Sequence, residues 1–250
     1  VAQFRGDDLE PGYDIGGLYQ FNSRFRIGVN YHSAVYSKLT GYQTIFIPQQ
    51  VLKEPLASLV VPQLQSQIYD GTVKEPLPGW VDTSFYWQVT KALAIMGNAT
   101  WTDWSIFQNS RIQPNNPAIP VTTNIQYNFH DTVTTGIGAN YRVPSMPKLL
   151  LQTGVTYDQS PVDDANRQAS IPDGDRVELG LGFTYQVTKM TAVQLAYTHY
   201  FFVTNDTINN SIGNITSSVG GLTAVLPSGQ MIGHYDIQND ALAVGIKSFF

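Results

Sequence analysis

Four histidines, His32, His130, His199 and His234, are the only side chains here suited to act as neutral general bases. None stands in a recognisable nucleophile motif such as G-x-S-x-G, and the chain has no cysteine. The acidic run Asp158, Asp163, Asp164, Asp173 and Asp175 has the ligand type for Ca²⁺ but lacks the regular spacing of a calcium loop. Arg167 and Arg176 interleave with it, so ion pairing is expected there instead. No phosphate loop and no metal-ligand spacing appears, and the expectation is a non-enzyme without a cofactor. What remains is recognition chemistry. Three cations, Arg26, Arg142 and Lys247, and five aromatics, Tyr36, Trp80, Trp104, Tyr200 and Phe202, fall on one face of the segments that carry them if strand alternation is extended through each. The aromatics then gather at one end and the cations at the other. That suits an amphipathic anion, with its tail against the rings and its carboxylate at a guanidinium or ammonium. The plainer alternative makes the cations a structural ladder paired with carboxylates.

The elements that must hold these residues are strands. From Arg176 to Val187, Val177, Leu179, Leu181, Phe183, Tyr185 and Val187 alternate with Glu178, Gly180, Gly182, Thr184 and Gln186. This period of two gives one apolar face. It recurs around Phe25–Tyr31, Val133–Tyr141 and Val193–Phe201. Ten strand candidates follow: 1–4, 13–21, 25–39, 77–89, 92–107, 122–143, 149–158, 176–187, 191–203 and 235–250. Tight turns at 22–24, 90–91, 144–148 and 188–189 alternate with long connections at about 41–76, 108–120, 159–175 and 205–234. Short on one side and long on the other is the arrangement of an outer-membrane barrel. The 250 residues read as one domain, 42% hydrophobic and 13% charged. The net charge of −5 with singly scattered cations excludes a nucleic-acid surface. No uninterrupted apolar run reaches the length of a transmembrane helix, and no basic leader with an apolar core opens the chain, which reads as mature or truncated.

Four strands reach their tight turns alike: Tyr19-Gln20-Phe21, Trp87-Gln88-Val89, Tyr141-Arg142-Val143 and Tyr185-Gln186-Val187. Strands leaving those turns place Tyr31, Trp101, Tyr157 and Phe201 on the apolar face further on. Two aromatic levels so spaced match the girdles of a lipid-facing band about 25 Å tall. A soluble sandwich would not require two levels. The last segment alternates Leu242, Val244, Ile246 and Phe250 with Ala241, Ala243, Gly245 and Lys247 and ends on an aromatic, like a signal for the barrel assembly machinery. Ser248 departs from that signal. Between 41 and 76 lies an apolar stretch including Phe46, Leu56, Leu59, Val60, Leu64 and Ile68, in which Pro55 and Pro62 suggest two short helices. These residues either form an exposed capture patch or pack the loop onto the barrel rim.

The segments Tyr157–Pro161, Ala165–Arg167, Ile171–Arg176 and Leu179–Gly182 resemble the long-chain fatty-acid transporter (FadL) family. So do Trp101–Phe107, Asn30–Ser33 with Leu39–Gly41, and Phe129–Thr132 leading to Gly138–Tyr141, in the family's order over nearly the whole chain. The resemblance implies an antiparallel transmembrane β-barrel of fourteen strands with an N-terminal hatch, of which this chain supplies about ten strands. It also implies a monomer in the bacterial outer membrane, among lipid and lipopolysaccharide. Passive uptake of long-chain fatty acids or similar hydrophobic compounds follows, with an aromatic-hydrocarbon importer or a general diffusion porin as the alternatives.

Overall fold

The computed structural model describes residues 2–45, 67–115, 122–168, 171–203, 207–210, 215–219, 222–226 and 231–248. In chain order the strands are β1 Ala2–Asp7, β2 Asp14–Gln20, β3 Phe25–His32, β4 Val35–Ile45, β5 Gln67–Leu77, β6 Trp80–Gln88, β7 Leu93–Thr102, β8 Asn109–Pro114 and β9 Thr122–Gln126. They continue as β10 Thr132–Arg142, β11 Leu149–Asp158, β12 Arg176–Gln186, β13 Thr191–Phe202, β14 Thr207–Asn210, β15 Ile215–Val219, β16 Leu222–Leu226, β17 Met231–His234 and β18 Gln238–Ser248. Among the described residues no helix is long and apolar enough to cross a membrane, so any crossing falls to strands.

Nine strands form one antiparallel sheet in the order β18-β13-β12-β11-β10-β7-β6-β3-β2, a meander whose hairpins are the four tight turns. Its period-2 pattern leaves one face apolar and uncovered: Leu181 is 54% exposed, Val244 77% and Ile246 75%. Such a face is stable only against lipid. The sheet is open, with β18 and β2 as its edges.

The turns are closed by side chains as well as backbone. The Asn22 carboxamide oxygen accepts from the amides of Arg24 and Phe25 at 2.8 and 3.0 Å. Thr90 Oγ1 accepts from Ala92 and Leu93 at 3.1 and 3.0 Å. Above that turn Gln88 donates to the carbonyl of Thr90 at 2.6 Å, and Gln186 repeats the bond to Thr188 at 2.7 Å. Arg142 holds the equivalent place in its own hairpin and donates to the carbonyl of Pro147 at 2.8 Å. Three of the four repeated strand ends, at Gln88, Arg142 and Gln186, are therefore turn-capping devices as well as membrane anchors.

A second antiparallel sheet, ordered β1-β4-β5-β8-β9-β15-β16, continues the strands past the long-connection side of the wall. The chain crosses between sheets at 8–13, 33–34, 78–79, 103–108 and 127–131. These crossings bond to one another: Ser33 donates to the carbonyl of Tyr13 at 2.9 Å and Asp103 to that of Gly79 at 3.0 Å. Asn128 turns the last of them with φ 49°, a left-handed conformation that asparagine tolerates. Two of the expected single strands are thereby corrected: the segments 25–39 and 122–143 are each two strands, while the candidates 1–4 and 13–21 stand as β1 and β2, in different sheets. The connections read at 41–76, 108–120 and 205–234 contain β4, β5, β8 and β14 to β17. Beyond the wall neither face meets lipid, so the apolar contrast that marks a strand fades there.

Glycine is required where β1 meets β4. Gly6 pairs with Gly41, and Gly41 with Gly71. A Cβ on Gly41 would stand 2.0 Å from the Arg5 carbonyl oxygen, a distance no side chain tolerates.

Candidate functional site

The wall's second face, away from lipid, is polar and graded along its length. At its outer end Asp14, His32, Trp80 and Thr102 stand in register across β2, β3, β6 and β7. The Asp14 carboxylate lies 2.9 Å from His32 Nδ1, and the imidazole stacks on Trp80 with centroids 5.2 Å apart and planes within 6°. Beside them Asn30, Trp80, Asp82, Thr100 and Thr102 line a cavity of about 360 Å³. Asp82 accepts from the Thr100 hydroxyl at 2.8 Å. Further round the wall, Arg176 pairs with Asp158, with Asp173 at 3.2 Å and with Glu178 at 3.3 Å. The expected ion pairing of the acidic run is thus present. Arg167 is buried at 3% exposure and donates to Asp164 at 2.5 Å, to the Asp173 carbonyl at 2.7 Å and to the Thr207 carbonyl, holding the 159–175 connection against β14.

Midway down, small residues thin the wall. Ser84, Met96, Asn98, Gly136, Gly138, Gly154 and Thr156 help line a second cavity of about 360 Å³. A Cβ on Gly136 would meet Thr156 Oγ1 at 2.9 Å, so the groove depends on the missing side chain.

At the short-turn end Tyr86, Gln88, Lys91, Asn140, Arg142 and Leu150 are among the residues around a recess of about 150 Å³. The Arg26 guanidinium lies 4.7 Å over the Tyr86 ring, and the Tyr86 hydroxyl donates to Gln88 at 2.5 Å. Arg142 and Lys91 meet because the Arg142 amide donates to the Ala92 carbonyl at 2.8 Å across the β7–β10 pairing. Of the three cations singled out in the sequence, Arg142 lines this recess, and Arg26 reaches only its edge, over the Tyr86 ring. Lys247 does neither: it pairs with Ala192 on the edge strand β18, and β18 lies four strands from β10 in the sheet, about 19 Å at the usual strand spacing. Lys91 went unnoticed because it sits in a turn, where alternation assigns no face.

The aromatics separate. Trp80 lines the outer cavity. Tyr200 and Phe202 stand opposite Glu178 and Arg176 on the polar face. Trp104 lies in a single 3-10 turn and packs edge-on against Phe129 at 5.8 Å, with Phe107 and Tyr127 completing an aromatic cluster at the crossing between sheets. Burial holds the Tyr127 phenol above its usual range, and the nearby Glu75 carboxylate adds to it. Tyr36 is corrected to the exposed face of β4: it is 69% exposed, while the odd-numbered residues of that strand are half-buried or buried. The two-residue crossing at Ser33–Ala34 resets the alternation on which the expectation rested. Ile68 is 68% exposed on β5. Phe46, Leu56, Leu59, Val60 and Leu64 lie outside the described residues.

The histidines assemble no catalytic set. His199 lies on the same face as Tyr197 and Phe201, 2.7 Å from Asp240, while His130 and His234 are exposed. Among the described residues no group of three or more His, Asp or Glu is placed to hold a metal.

An antiparallel wall with lipid on one face and a graded polar surface on the other defines a β-barrel transport protein of the outer membrane. The chain belongs to the outer membrane protein transport protein family (OMPP1/FadL/TodX), whose model matches residues 1–241. It is 30% identical over 206 residues to the 47 kDa outer membrane protein of Pasteurella multocida, covering 80% of this chain and 45% of that one. It is 27% identical over 203 residues to the long-chain fatty acid transport protein of Escherichia coli O6:H1, covering 80% and 44%. The structure of a Pseudomonas aeruginosa FadL homologue matches with a TM-score of 0.71 at 25% identity, over 84% of this chain and 49% of the other. The chain spans about half the length of the curated relatives it matches. The family is one of transport proteins, and the location is the bacterial outer membrane.

Proposed function

We propose that this chain lines part of a passive path by which long-chain fatty acids, or hydrophobic compounds of similar kind, cross the outer membrane. The observation that carries this is the recess where Lys91 and Arg142 meet beside the Arg26–Tyr86 pair. A carboxylate gains charge-assisted hydrogen bonds there, and the glycine-thinned wall above leaves width for an acyl chain. Arg142 spends one N–H on its own turn and keeps others for a ligand. Phe46, Leu56, Leu59, Val60, Leu64 and Ile68 form the proposed outer capture patch. The protein works as a monomer among outer-membrane lipid and lipopolysaccharide after insertion by the barrel assembly machinery, within a fourteen-stranded, hatch-plugged barrel.

The test is titration of the full-length protein with a fluorescent long-chain fatty acid and with the matching alcohol. Arg142→Gln combined with Lys91→Gln weakens the acid by about tenfold or more and leaves the alcohol unchanged. Equal affinity of variant and parent for the acid removes the carboxylate reading. A second reading, a neutral aromatic hydrocarbon as cargo, is favoured by the His32–Trp80 stack and the Trp104–Phe129 cluster. Tighter binding of toluene than of the acid supports it, and a large steady ion conductance supports a general diffusion porin instead.

A further inference from the structure

Among the described residues, acidic side chains are absent from the short-turn end of the wall and from most of its height. The segments centred on the four short turns, residues 15–29, 83–102, 132–157 and 179–205, together with 241–250 on the last strand, hold seven of the fourteen Lys and Arg and none of the nineteen Asp and Glu. Every one of the four short turns carries a cation: Arg24, Lys91, Lys148 and Lys189, all exposed. None of them enters an ion pair among the described residues. Their hairpins stand side by side in the sheet, so the cations form a row two strands apart, a spacing of about 10 Å.

The same turns expose apolar side chains beside the charges. Phe21 is 55% exposed, Met146 49%, Val187 47% and Met190 57%. Immediately up the strands stand Tyr19, Trp87, Tyr141 and Tyr185, the girdle that marks the membrane interface. A soluble acidic protein would account for the cations but not for greasy turn tips beside them. A lipid headgroup layer accounts for both, because the glycerol boundary accepts the apolar groups while phosphates meet ammonium and guanidinium heads that reach past it.

We propose that the short-turn rim is a collar that binds anionic phospholipid headgroups, phosphate diesters of net negative charge, in the leaflet those turns face. A spacing near the Debye length at physiological salt lets neighbouring cations reinforce one another, and each is worth roughly fivefold in attraction to an anionic surface. Full-length protein reconstituted in nanodiscs of phosphatidylcholine with phosphatidylglycerol provides the test, with the retained lipid counted by native mass spectrometry. The parent keeps phosphatidylglycerol over phosphatidylcholine. Arg24→Gln with Lys148→Gln and Lys189→Gln, which leaves the recess residue Lys91 in place, lowers that preference at least fivefold. Arg24→Lys with Lys148→Arg and Lys189→Arg retains it, and cooperative thermal unfolding reports that each variant is folded. Equal phosphatidylglycerol retention by parent and triple Gln variant overturns the proposal. So does a variant that loses binding of soluble polyglutamate yet keeps the lipid preference, which assigns the rim to an acidic protein.

Discussion

The two sheets share continuous strands yet expose different kinds of side chain. Along β3, Val29 is 52% exposed on the outward face, and along β13 so is Phe201 at 47%. Two residues beyond the end of β3 the chain enters β4, where Tyr36, Lys38, Thr40 and Tyr42 are the exposed ones and Gln43 is buried at 1%, beside Tyr69 at 7% and Val73 at 3% on β5. The backbone ladder is of one kind throughout, antiparallel and regular. What changes at the crossings is the exposed face: the wall's is apolar and turned to lipid, whereas the outer sheet's mixes Lys38 and Thr40 with Tyr36, Tyr42 and Ile68. The line of crossings therefore marks the outer edge of the bilayer.

Four perturbations separate the regions further. Arg167→Ala has the largest expected effect, about 3–5 kcal/mol of local stability, because Asp164 and the carbonyls of Asp173 and Thr207 lose their buried donor. Hydrogen exchange should accelerate at Asn166, Arg167 and Asn209 while the β11–β12 amides stay protected. Joint opening of both would make the outer structure and the wall one cooperative unit. Next comes Leu181→Arg at mid-wall, where a charge facing lipid costs about 2–4 kcal/mol, measured by denaturant unfolding in lipid vesicles. Lys38→Leu on the exposed face of β4 should stay within about 0.5 kcal/mol. The smallest effect belongs to pH. The Asp8 carboxyl is held below its usual 3.8, first by the Lys38 backbone N–H at 2.6 Å, with the Leu9 amide and the Ser37 hydroxyl adding to it. A depressed carboxyl stabilises above that value and loses its contribution as pH falls through the folded one. The protection factor of the Lys38 amide, which removes the intrinsic pH dependence of exchange, should thus fall below about pH 4, and in Asp8→Asn it should no longer change with pH.

Much of the wall was legible beforehand, and the reason is local. β11 spans Leu149–Asp158 as its alternation indicated, and β12 departs by one residue, because lipid on one face imposes a period that a dozen residues display. The outer sheet was hidden for the converse reason. In β4, Lys38-Leu39-Thr40-Gly41-Tyr42 shows little contrast between faces, and glycine at the β1 junction reads as a loop residue. Tyr36 was misplaced because parity does not survive a crossing, and Arg142's bond to its own turn depends on where Pro147 directs its carbonyl.

The amino-acid sequence alone determined the strand period, the two aromatic levels, the turn-side segregation of charge and the family, since each is written in neighbouring residues. Only the tertiary structure decided which cations meet. Lys91 and Arg142 are some fifty residues apart in the chain and come together through the pairing of Leu93 with Tyr141, whereas Lys247, equally well patterned, is carried four strands away. Alternation chooses a face, but register and strand order choose neighbours, and those are set by contacts between distant segments.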